Sequence, residues 1–228
     1  MDHFEKIYAE RAKEYHQMIL PEDVDGNLLS VLRQIVPLEN TTLLDLGSGT
    51  GRIPLLVHAL VDKVVALDLN LPMLLEQRQN QAGSWPLVNG DNRSLPFPDR
   101  WAQVVTAGWA IGHLRAWFAS DWQTQIGKIL MEMERVAVSK GCLLIMETLT
   151  TGALEPAPPT PELAEYYAWL EQEWGYSRHT IQTDYQFASV DQAVERTEFF
   201  FGPQLAAAIR ENDWVRLPEW TGVWSKYV

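Results

Sequence analysis

The segment LLDLGSGTGR, residues 43–52, constrains the fold more than any other part of the chain. Its first residues are apolar without alternation, as in a strand buried on both faces of a parallel sheet. Gly47, Gly49 and Gly51 follow, and the residues beyond them support a helix. Glycine accepts the positive φ of a tight turn and leaves the backbone bare to a ligand, while the first amides of the helix stay free to donate. A dinucleotide-binding loop of the GxGxxG kind would need its third glycine at position 52, which is Arg52. The spacing is GxGxG instead.

The same alternation continues downstream. Residues 64–67, 85–88, 102–107 and 142–146 read as further buried strands, the first of them closed by Asp68. Helical spacing fills the gaps at residues 52–60, 71–79 and 122–136, the last opened by a capping-box pair, Ser120 and Gln123, and stopped at Gly141. Strand and helix alternating over residues 42–149 require a mostly parallel sheet with helices on both faces. Ahead of this core, apolar spacing predicts one helix over residues 4–18 and another over 28–36, an N-terminal helical cap spanning 1–40. Behind it, the Gly/Pro-rich run GALEPAPPTPE leads to an aromatic helix at 163–174, a lid-like insertion over 150–176. Extended segments at 180–187 and 221–227 flank a helix near 191–200, a closing unit over 177–228 that would add strands to one sheet edge. The whole reads as a single domain of 228 residues.

Composition narrows the partners. No apolar run approaches the ~18–20 residues of a membrane span, and the charged N-terminus lacks the apolar centre of a signal peptide. With one cysteine, Cys142, no internal disulfide forms; a cytoplasmic setting is expected. The net charge of −12, negative in both halves, repels a phosphate backbone and points away from nucleic acid. His3, His16, His58 and His179 are scattered without ligand spacing, so no metal is expected.

Two strand-end acids stand out. Asp68 lies 17 residues after Gly51, about one helix and one strand on, where a carboxylate can accept ribose hydroxyls. Asp91, at the end of the third strand, can accept from an adenine amine, or serve as a turn acid before Pro96 and Pro98.

Together, LDLGSGTG, ALDLNLPML, NGDNRSLPFPD and QVVTAGWAIGHL resemble, in order and spacing over residues 41–149, the class I S-adenosylmethionine-dependent methyltransferases. The likeness is greatest to the small-molecule branch that includes the ubiquinone/menaquinone-biosynthesis methyltransferases. The resemblance implies a Rossmann-like seven-stranded sheet whose last strand is antiparallel, and S-adenosylmethionine as cofactor. It further implies methionine-end contacts at Asp45, Gly47, Ser48 and Gly49, ribose at Asp68, adenine against Leu69, Asn70 and Met73, and an adenine rim at Asp91 and Asn92, with Trp109 beside the cofactor. Gln103 stands where the family usually has an acid, and Gly112 where a second histidine often precedes His113.

The cofactor carries an electrophilic methyl, so the protein has chiefly to align a nucleophile and exclude water. His113, five residues past the end of the fourth strand, is the candidate general base, at an unperturbed pKa near 6.5. Tyr8, Tyr15, Glu147, Tyr166, Tyr167 and Trp174 are candidates for the wall of a small-molecule pocket, with Trp109 at its mouth. Two other functions share this fold. One is aminopropyl transfer, which usually needs an acid pair that residues 102–114 lack; the other is a non-catalytic cofactor-binding partner protein. The acceptor and the oligomeric state are left open.

Overall fold

The computed structural model describes residues 2–228. Its first strands follow the buried runs: β1 (Thr42–Leu46), β2 (Lys63–Asp68), β3 (Leu87–Asn89), β4 (Ala102–Gly108) and β5 (Ala137–Thr151). Later come β6 (Ser177–Gln182), a short antiparallel pair of β7 (Tyr185–Gln186) and β8 (Arg216–Leu217), and β9 (Glu219–Tyr227). Among the described residues, seven strands form one sheet in the order β3-β2-β1-β4-β5-β9-β6. Neighbours from β3 to β5 are parallel, and β9 runs antiparallel to both β5 and β6. The reversed final strand is the one expected.

Alternation splits the strand side chains between two cores. Leu44, Leu46, Val105, Leu143 and Ile145 face α7 (Trp122–Val136), whose Ile126, Ile129, Leu130 and Met133 are buried against them. Leu43, Val64, Ala66 and Val104 face the other way, onto α3 (Asn27–Ile35) and α4 (Arg52–Val57). Each leucine or isoleucine so buried contributes about 1.5–3 kcal/mol, which is why the central strands carry almost no polar side chains. Two buried polar residues, Asp45 and Thr106, sit opposite each other in the β1–β4 register near the carboxyl edge.

The helices α5 (Leu71–Asn80), α8 (Pro161–Gln172) and α9 (Val190–Phe201) also fall where spacing predicts them. Several boundaries do not. The N-terminal helix is two, α1 (His3–Glu10) and α2 (Ala12–Ile19), because Arg11 leaves helical geometry at φ −131° and ψ 34°. The capping box belongs to α1: Asp2 and Glu5 exchange backbone-to-carboxylate bonds at 2.8 Å. Helix α7 is capped instead by Asp121 without a side-chain bond, and ends at Val136 rather than Gly141. The carbonyls of Arg135 and Val136 are taken by the amides of Arg100 and Trp101, so the chain turns directly into β5. That strand runs 15 residues, since β9 pairs with it past Met146 to Thr151. Two short helices were not foreseen, α6 (His113–Trp117) and α10 (Pro203–Glu211).

Helix α8 follows β5, as the lid-like insertion predicts. Its inner face is part of the core: Tyr166, Tyr167 and Leu170 are buried with α7 and Trp224 of β9.

Candidate active site

The carboxyl edge of the parallel strands carries two adjoining cavities of about 270 and 580 Å³. The smaller one is built by the glycine loop. Gly47, Gly49 and Gly51 all have left-handed φ, at +60°, +55° and +93°. A Cβ on Gly47 would collide with the side chain of Ala110, and one on Gly51 would lie 2.7 Å from Gln77. Asp68 braces this loop: its carboxylate accepts the amides of Gly49 and Asn70, each at 2.7 Å. Burial raises the pKa of its carboxyl. Behind the loop Thr106 donates to Asp45 at 2.6 Å, and burial pushes Asp45 up to about 7. Ser48, Leu69, Asn70 and Met73 complete this side, with Met73 3.4 Å from an ideal Cβ on Gly49.

Across the cavity lie Asp91 and Asn92. Asp91 is not a free acceptor as expected, because Arg93 grips its carboxylate through Nε and Nη2 and holds its pKa down. The Oδ1 of Asn92 is buried with no hydrogen-bond partner among the described residues.

The larger cavity collects residues from α1, α2, α6, α8, α9 and the ends of β5 and β9. Tyr8, Tyr15, Arg52, Trp109 and His113, with Ile19 and Trp117, line both cavities and so form the junction. Trp109 sits at φ +52°, its amide donating to Met146 at 2.7 Å. The Arg52 guanidinium lies 3.6 Å over its ring and pairs with Glu22 at 2.6 Å. The Nε2 of His113 is 2.8 Å from the Tyr8 hydroxyl, its ring stacked on Trp117 and beside Phe4. Enclosed in this way, His113 falls to a pKa of about 4, well below the value near 6.5 that recommended it as a base. Glu147 moves in the opposite direction. Burial lifts it to about 8, although its Oε1 accepts the Gly112 amide at 2.8 Å.

Of the expected wall residues, Tyr8, Tyr15 and Glu147 reach the larger cavity, and so does Tyr167, whose hydroxyl donates to Thr148 at 2.7 Å. Tyr166 does not. One helical step from Tyr167, it points into the core, edge-on to Trp122. Trp174 packs against Trp169 away from the cavity. Residues that sequence reading passed over include Glu22, Tyr185, Phe200 and Glu219. Only the run Phe199–Phe201, apolar around the end of α9, gave a signal that its rings need more than one covered face.

Sheet order, reversed final strand and a left-handed glycine loop beside a strand-end acid are those of the class I methyltransferase fold. Residues 44–145 match the family model of a methyltransferase domain. It is similar to malonyl-[acyl-carrier protein] O-methyltransferases. Identity is 27% over 143 residues to that of Legionella pneumophila, covering 61% of this chain and 47% of that one. To that of Erwinia pyrifoliae it is 31% over 150 residues, 65% and 48% of the two chains. The chain thus spans about half the length of the curated relatives it matches. Among solved structures, an S-adenosylmethionine-dependent methyltransferase from Aquifex aeolicus superposes over 100% of both chains, with a TM-score of 0.57 at 18% identity. Haemonchus contortus phosphoethanolamine N-methyltransferase 1, in complex with phosphoethanolamine and S-adenosylhomocysteine, gives 0.55 over 96% of this chain and 47% of that one, at 16% identity.

Proposed function

We propose that the chain transfers the methyl group of S-adenosylmethionine to a small molecule seated in the larger cavity. The observation that carries this reading is the junction: a cofactor-sized pocket and an acceptor-sized cavity share Tyr8, Tyr15, Arg52, Trp109 and His113.

The smaller pocket fits the cofactor. The left-handed glycines let the loop pack against Ala110 and Gln77 with no room for a Cβ at Gly47 or Gly51, and the buried, unpartnered Oδ1 of Asn92 calls for a donor such as the adenine amine. Asp45, Gly47, Ser48 and Gly49 would hold its methionine end, and Asp68 its ribose. Leu69, Asn70 and Met73 would flank the adenine, with Asp91 and Asn92 at its rim and Trp109 toward the sulfur. When bound, the cofactor supplies a methyl group on a cationic sulfur.

The chain's own work is alignment, dehydration and proton handling. Helices α1, α2, α8 and α9 wall the larger cavity, and excluding water while fixing the acceptor is worth up to about 7–11 kcal/mol. A proton leaving the acceptor goes more readily to Glu147 than to His113, because the carboxyl titrates near neutrality and the imidazole far below it. His113, tied to Tyr8, shapes the junction. An acidic protein with its single thiol, Cys142, buried suits a small acceptor in a reducing compartment rather than nucleic acid.

Calorimetric binding and a labelled-methyl screen over phenols, amines and carboxylates test this. S-adenosylmethionine at a hundredfold excess over its Kd should stabilise the fold by about 2.7 kcal/mol, with NAD inert. Stabilisation by NAD instead, or no transfer to any class, would remove the proposal.

A further inference from the structure

The larger cavity is mostly apolar and aromatic, with carboxylates concentrated in it. Asp2, Glu22, Glu147, Glu162 and Glu219 line it, against Arg52 and Arg115. Both arginines are already ion-paired. Arg52 is paired with Glu22 at 2.6 Å and covered by the Trp109 ring, and Arg115 is paired with Glu165 at 2.6 Å. Most of the acids are also engaged: Asp2 accepts from Trp117 and Glu5, and Glu147 from Gly112. Glu219 lines the cavity and is 1% exposed; Thr148 and Thr151 hydrogen-bond its carboxyl group, yet its Oε2 is left without a partner among the described residues.

We infer that the acceptor carries a cationic amine and that Glu219 anchors it. This rests on the reading of the larger cavity as the acceptor site. A buried carboxylate oxygen without a donor is unfavourable, and an entering ammonium supplies both a donor and the opposite charge. The rings of Tyr8, Tyr15 and Phe200 add π faces that favour a cation over a neutral group. Burial, with Glu22 adding like charge, raises the Glu219 carboxyl well above the usual range, and a cation placed beside it would favour the ionised form. A carboxylate of the malonyl kind, the acceptor named in the relatives, would have to compete with Glu22 for Arg52 and with Glu165 for Arg115.

The test uses the full chain saturated with S-adenosylhomocysteine and three probes on one skeleton: phenethylamine, 2-phenylethanol and phenylacetate. Binding is read from tryptophan fluorescence, since Trp109 and Trp117 line the cavity. The amine should bind at least ~10-fold tighter than the alcohol, with the carboxylate weakest. Glu219→Gln should bring amine and alcohol within about two-fold of each other and leave S-adenosylhomocysteine affinity unchanged. Tightest binding by phenylacetate, equal binding by alcohol and amine, or no amine binding at millimolar concentration overturns the inference. So does an amine preference that survives Glu219→Gln. The wild-type ranking decides the matter alone if that variant does not fold. Failure of the wild type to bind S-adenosylhomocysteine would instead remove the methyltransferase reading, and this inference with it.

Discussion

The two cavities are built on different plans. The smaller is framed chiefly by strand ends: a glycine turn, an acid 17 residues further on that accepts two backbone amides, and a third strand end. The larger is assembled from side chains of helices far apart in sequence, joined by contacts such as Tyr8 to His113, 105 residues apart, and Arg52 to Glu22. A backbone-built pocket tolerates few changes and presents one shape. A side-chain-built cavity can change its occupant by substitution while the fold stays as it is.

Substitutions should therefore separate the two. Gly47→Val should have the largest effect, because a branched side chain must take φ +60° and displace Ala110. Calorimetry should show S-adenosylhomocysteine affinity reduced about a thousandfold, near 4 kcal/mol. Retained affinity would mean that the loop is not the cradle.

Glu147→Gln should act on the other side, lowering single-turnover methyl transfer by roughly 10²-fold with cofactor binding intact. It also has a stability signature. The folded carboxyl titrates at about 8 against an ordinary 4.5, so its stabilising contribution is complete below the ordinary value. That contribution drains as pH rises through the folded value. The Tm of the wild type should fall relative to Glu147→Gln between about pH 5 and 8 and then run parallel. A constant difference would show that the carboxyl is not buried.

Asp68→Ala should cost roughly 10–100-fold in cofactor affinity, since it removes a ribose acceptor and frees the amides of Gly49 and Asn70. Smallest of all, His113→Asn should leave the transfer rate within about five-fold, an imidazole of pKa about 4 being a weak base at neutral pH. A hundredfold loss that a more acidic acceptor rescues would restore the histidine to the chemistry.

The contrast also explains what sequence revealed. The strand ends at Leu46, Asp68 and Gly108 were legible because a strand buried on both faces is an apolar run with a sharp polar stop. Helix α10 was hidden because it buries only Ala206 and Ile209, too narrow a stripe to show a period. Helix α6, five residues long, buries Leu114 alone. In the candidate site, the residues set by the glycine loop could be named from spacing. Glu22 and Glu219 could not, since each becomes significant only when tertiary contacts remove it from water. The pairing of Asp91 with Arg93 was local yet missed, as a turn acid and a pocket acid look alike until the guanidinium is placed.

Trp109 carries a conflict between folding and fit. A bulky residue held in left-handed backbone, at φ +52°, costs the fold about 1–3 kcal/mol that glycine would not. Yet its indole is the platform on which Arg52 lies, between the donor's side and the acceptor's side. Trp109→Gly would relieve the backbone and merge the two compartments into one. The backbone would lose its strain, but Arg52 would lose its platform and the two reactants the indole that stands between them.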